Sequence, residues 1–144
     1  LFAPTLLGAL FFTYLASSPS VPWVGRAIAR CGRRQIVLGV IALWIIGALL
    51  LLAGPISVIM TGLTLCAICG MVCQAISTGH VAMTAKEGRS SAVGLYGTAY
   101  YVGGSAGAFL GGIAWTFAGW GGCVAMIVAM QIVIGAIVAT AWGR

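Results

Sequence analysis

"GRAIARCGRR", Gly25 to Arg34, gathers Arg26, Arg30, Arg33 and Arg34, four of the seven basic residues in the chain. Around it the chain is nearly free of formal charge. Leu1 to Gly25, Gln35 to Ala85 and Ser90 to Gly143 contain no Lys, Arg, Asp or Glu. Of 144 residues, 62% are hydrophobic and 6% charged, against about 25% charged in soluble domains. Seven cations and one carboxylate cannot clothe a water-soluble surface, so the composition points to an all-α integral membrane protein.

The length of the uncharged runs sets the number of spans. A helix crossing a hydrocarbon core about 30 Å thick needs about 20 residues. The first run suits one span, and each of the other two suits a pair. Turn signals divide both pairs: Ala53-Gly54-Pro55 in the second run and Ala118-Gly119-Trp120-Gly121-Gly122 in the third. Gly-Pro and clustered glycines end helices. Five spans are expected, at 1–24, 35–52, 56–83, 91–117 and 120–142. Pro19 and Pro22 are expected to bend the end of the first, because proline removes a backbone donor.

With that register, Arg26, Arg30, Arg33, Arg34, Lys86, Arg89 and Arg144 all fall on one side. An arginine at the membrane centre costs about 2.5–3.5 kcal/mol on insertion scales, so four in one segment resist burial strongly. Basic loops stay in the cytoplasm, which predicts a cytoplasmic C-terminus and anionic lipid headgroups as neighbours. The net charge of +6 is therefore assigned to topology, and no nucleic-acid partner is expected. No signal peptide is expected at the N-terminus, and the chain has the look of part of a longer protein. Trp23, Trp115, Trp120 and Trp142 fall near expected span ends, as interfacial aromatics do, whereas Trp44 is expected to pack between helices. Five cysteines, four of them in apolar runs, are expected to stay reduced.

The spacing inside the opening segment carries further information. Gly25, Arg30, Gly32, Arg33 and Arg34 resemble the G-x-x-x-D-R-x-G-R-R signature of the major facilitator superfamily. Ala29 stands where that pattern has its acid, so no gating ion pair through that position is implied. In the family the element joins the second and third helices of each six-helix half, and the layout here is similar to helices eight to twelve. The segment Gly94 to Trp120 resembles the eleventh helix of bacterial arabinose/drug-efflux-type permeases, with a Tyr-Tyr pair, a glycine-rich stripe and a closing Gly-Trp. His80 is also similar to that branch.

The resemblance implies a twelve-helix fold of which residues 1–144 form part of the C-terminal half. It also implies a bacterial inner-membrane location and secondary active transport, as proton-coupled efflux of a small solute by alternating access. The partners it implies are the solute, protons, the bilayer and the N-terminal half of the same chain. No covalent chemistry is expected, so the chain is not read as an enzyme, and no cofactor is expected. The rival reading is a non-transporting membrane subunit that associates through its glycine-rich helix.

Intramembrane polar groups are site candidates by default. Helices lining the cavity in that family favour Tyr14, Gln74, His80, Tyr96 and Tyr100 over Thr61, Thr64, Tyr101 and Gln131. No carboxylate lies inside a span. His80 is the single histidine of the chain. Gly103, Gly107 and Gly111 recur every four residues, a strip where another backbone can approach closely.

Two other patterns are set aside on geometry. Gly103-Gly104-Ser105-Ala106-Gly107 matches G-x-S-x-G, but that motif needs a strand-to-helix turn. Ser105 would also sit about 20 Å deep, far from His80 near its span end. Cys66, Cys69, Cys73, Ser77 and His80 share a helix face. Cys73 and His80 lie about 10 Å apart along the axis, too far to share one metal ion.

Overall fold

The computed structural model describes residues 21–141, with the side chains of residues 25–141. Every regular element among them is a helix: α1 (Val21–Cys31), α2 (Arg33–Leu50), α3 (Ile56–Thr84) and α4 (Arg89–Ala141). Three of these, α2, α3 and α4, are long and apolar enough to cross a membrane. This corrects the expectation of five spans. The expected span at 1–24 lies almost wholly outside the described residues. The spans expected at 91–117 and 120–142 belong to one helical element of 53 residues, and residue 142 is not described.

That element is not straight. Gly119 sits inside it with φ 59° and ψ −147°, outside helical geometry. Contacts between the two flanks reveal the shape of the break. Cys123 Sγ lies 3.5 Å from the Gly111 carbonyl oxygen, and the Trp115 and Trp120 rings meet edge to face at 6.2 Å. In an unbroken helix residues 111 and 123 would be about 18 Å apart. The two arms, 89–118 and 120–141, therefore fold back against each other at Gly119.

The opening segment also departs from expectation, for it is mostly helix rather than loop. Gly25 to Cys31 continue α1, and Arg33 and Arg34 open α2. Only Gly32 interrupts them, with φ 83° and ψ 146°. Residues with a Cβ essentially never adopt that region, which explains why a glycine stands between Cys31 and Arg33. Pro22 is the second residue of α1. There its missing N–H belongs to the first turn and costs nothing, so it starts a helix instead of bending the end of one.

The second and third expected spans lie within two residues of α2 and α3. The turn between them tightens through i→i−3 bonds from Leu51, Leu52 and Ala53, and Pro55 then caps α3 in an extended conformation. The hairpin is antiparallel. Gly47 faces Gly62 and Trp44 packs onto Gly70, as expected of a tryptophan between helices. Arg33 reaches His80.

The other flank of α2 takes the second arm of α4. Ile41 meets Gly135, and the Trp120 indole donates to the Leu51 carbonyl at 2.8 Å. Thus α2 is the middle rod, and the core falls in two clusters along it. Val37, Ile41, Val72, Ile76 and Val138 fill the end near the arginines. Ala48, Leu51 and Val124 fill the end near the turns.

Most large apolar side chains point away from this core. Phe117 is 87% exposed, Leu95 and Tyr101 73%, and Phe109 71%. A soluble monomer does not display so much contiguous apolar surface; a bilayer accepts it without cost. Backbone and hydroxyl groups must then be satisfied within the helices. Thr61, Thr64, Thr98 and Thr140 each donate to the carbonyl four residues back, and Thr116 to the one three back. The protein is an all-helical, multi-pass membrane candidate.

Candidate functional site

Chain direction brings the basic segments together. α2 begins where α3 ends, and a four-residue loop leads from there into the first arm of α4. Arg33, Arg34, Lys86 and Arg89 therefore share one end of the bundle. α1 packs there too, with Ile28 against the Val37–Ile76 cluster, which brings Arg26 and Arg30 alongside. Arg144 lies outside the described residues. The turns at Gly54-Pro55 and Gly119 form the opposite, uncharged end.

At the basic end one contact joins two residues that the sequence treats separately. A guanidinium nitrogen of Arg33 meets His80 Nδ1, and the other nitrogen lies 3.7 Å from Met83 Sδ. Arg33 can only donate, so Nδ1 is the acceptor at that contact. Thr84 Oγ1 is 3.4 Å from the same nitrogen.

Two clefts flank this pair and share both residues. The first, about 510 Å³, is lined by Cys31, Gly32, Arg33, Arg34, Gln35, His80 and Ala141. The second, about 380 Å³, is lined by small and apolar residues including Ile28, Ala75, Ile76, Gly79 and Met83. Among the described residues the first presents two guanidiniums, an amide and an imidazole, and no carboxylate. Glu87, the single acid of the chain, is exposed in the loop before α4 and lines neither cleft.

The remaining cavity candidates lie elsewhere. Tyr14 is outside the described residues. Gln74 is half-buried on α3, ten residues from the end of that helix and so about 15 Å deep. Tyr100 lies at similar depth on the first arm of α4. Its ring packs on Tyr96 at 6.4 Å and edge-on to Tyr101 at 5.7 Å. His80 is shallower, one turn from the end of α3.

The glycine strip is open. A methyl built on Gly103 or Gly107 would meet nothing within 4 Å, and one on Gly111 would touch Met126 at 3.6 Å. The close backbone approach of this bundle occurs instead at Gly47 and Gly62, where a methyl on Gly62 would lie 2.7 Å from the Gly47 carbonyl oxygen. Neither residue belongs to a four-residue glycine repeat, so no spacing in the sequence marks them.

Gln131 is a further residue whose importance spacing alone does not show. It is 6% exposed, midway between Val124 and Val138 on the seam facing α2. A buried amide at such a position fixes the register of two packed helices. Cys66, Cys69, Cys73 and Cys123 are free thiols within the helices. Among the described residues no three potential ligands gather into a metal site. No protein family, curated protein or solved structure matches the chain.

Proposed function

We propose that the chain is the C-terminal part of a secondary transporter of the major facilitator type, contributing its membrane-spanning helices to a twelve-helix bundle. Its task is proton-coupled efflux of a small solute across a bacterial inner membrane. The first arm of α4 is the observation that carries this reading. Leu95, Tyr100, Tyr101 and Val102 are exposed, and Gly103 and Gly107 have open space around them. Such a surface offers ring edges and hydroxyls at mid-membrane depth, where lipid gives hydroxyls nothing to bond. It suits a water-accessible cavity closed by an opposing half. Gln74, at the same depth, would add an amide to that cavity.

In this reading Gly111 packs the hairpin at Gly119, and Gly103 and Gly107 are kept for the opposing half. A non-transporting subunit could use the same face for a partner, and transport separates the two. Everted vesicles carrying the full-length protein should accumulate a fluorescent amphiphile when acidified inside, and a protonophore should abolish this. Gln74→Leu with Tyr100→Phe should slow it by about tenfold, the cost of one or two lost hydrogen bonds. No transport of any solute in a panel, by correctly inserted protein, would leave the subunit reading.

Orientation has its own check. The positive-inside rule puts the arginine end in the cytoplasm. A variant retaining only Cys31, which is exposed at that end, should resist a charged maleimide in intact cells and react after permeabilisation. Labelling in intact cells would reverse the orientation.

A further inference from the structure

We propose that the cleft at the start of α2 is a binding site for a phosphate group, supplied by the headgroup of an anionic phospholipid. The site does not depend on the transport reading, only on the basic end lying at a membrane surface.

Charge without compensation marks the site. Arg33 is half-buried, yet its contacts among the described residues are an imidazole nitrogen and a thioether. Withdrawing a guanidinium from water without a counter-ion is costly, and among the described residues neither cleft beside it is lined by a carboxylate. Arg34 lines the same cleft. Two neighbouring guanidiniums over a cavity of about 510 Å³ can grip the oxygens of one phosphate through paired, charge-assisted hydrogen bonds.

The backbone adds to this field. α2 starts at the cleft, with no side-chain cap and no acid in its first turn. Its first residues, Arg33, Arg34 and Gln35, line the cleft, so the first-turn N–H groups, which have no partner within the helix, lie beside the guanidiniums. Gln35 supplies an amide donor at the rim.

The neighbouring cleft decides between a lipid and a dissolved phosphate. Arg33 and His80 line both clefts, and beyond them the second is walled by Ile28, Ile76 and Met83. A ligand seated on Arg33 can place a phosphate on one side and an apolar chain on the other. A phospholipid has that shape, and this end of the bundle is where headgroups stand. Basic pockets between helices at this level recognise anionic headgroups.

The test uses the complete chain in nanodiscs of equal phosphatidylglycerol and phosphatidylcholine, with retained lipids counted by native mass spectrometry after release. Phosphatidylglycerol should be retained over phosphatidylcholine by about tenfold. Arg33→Gln with Arg34→Gln should remove that preference, whereas Arg26→Gln with Arg30→Gln should keep it. Arg33→Lys with Arg34→Lys, which preserves charge and folding, should lower it several-fold by losing the planar fork. Millimolar inorganic phosphate should leave the lipid in place; displacement would overturn the lipid assignment in favour of a water-borne phosphate ester at the same residues. Equal retention of both lipids, or equal loss in the Arg26/Arg30 variant, would show diffuse attraction and overturn the site.

Discussion

Gly62→Leu should be the most damaging single substitution in the bundle, costing about 3 kcal/mol, at the upper end of the usual overpacking range. Its Cβ alone would lie 2.7 Å from the Gly47 carbonyl oxygen, 3.1 Å from Leu50 Cβ and 3.2 Å from a Leu51 methyl. Two of these neighbours are a backbone oxygen and a Cβ, which cannot swing aside as a side-chain tip can. The larger side chain must therefore push α2 and α3 apart. In lipid, apolar surface gains nothing by leaving hydrocarbon, so close packing is what holds these two helices together. Separation also disturbs Ala48, which is fully buried in the neighbouring cluster. Unfolding titrations in mixed micelles measure the loss. Gly39→Leu is the matched control: nothing lies within 4 Å of its Cβ, and it should change stability by about 0.5 kcal/mol or less. Equal losses from the two would show that Gly62 owes its place to something other than close approach.

How far the sequence reveals this structure depends on which force acts at each position. The ends of α2 and α3 come from runs without charge and from Gly54-Pro55, because lipid penalises charge and proline cannot extend a helix. The clustering of arginines at one end has the same origin. The Arg33–His80 contact is also recoverable in principle. Arg33 is twenty-one residues before Gly54, and twenty-one after Pro55 is Ile76, one helical turn from His80. Reading Arg33 as part of a loop hides that pairing, since a loop residue has no helical register to count from.

Other features are set by packing, which spacing does not encode. Gly47 and Gly62 are isolated glycines on two different helices, and nothing in the sequence ties one to the other. The conspicuous strip at Gly103 and Gly107, by contrast, touches nothing among the described residues. The three-dimensional meeting of two helices chooses which glycines matter. Gln131 illustrates the same point: its place in the α2 seam depends on the rotation of the second arm, which the even apolarity of that arm leaves undefined in the sequence.

Gly119→Val should open the hairpin of α4, at a cost of about 2–3 kcal/mol. The three glycines near this turn have separate reasons to be there. Gly119 holds φ 59° and ψ −147°, a region that a β-branched residue cannot enter without strain. Gly122 is needed for space, because a methyl there would lie 2.7 Å from the Ala114 carbonyl oxygen and 2.8 Å from Ala118 Cβ. Gly121 has neither constraint: its Cβ would meet nothing within 4 Å, and its φ is not positive. Gly122→Val should therefore be damaging as well, and Gly121→Val close to neutral. Length dictates the consequence of losing the turn. A continuous helix of 53 residues would be about 80 Å long, far more than a hydrocarbon core of about 30 Å can hold, so one arm must leave the membrane or the chain must unfold. Proximity across the turn gives a direct readout. With Cys123 as the one native cysteine retained, Gly111→Cys should form an intramolecular disulfide on mild oxidation, because Cys123 Sγ already lies 3.5 Å from the Gly111 carbonyl. Mass spectrometry of the digested protein should find that bond in the Gly121→Val background and find little of it in the Gly119→Val background. An undiminished crosslink after Gly119→Val would mean that the arms are held together by their packing alone, with the backbone at residue 119 free to adopt another conformation.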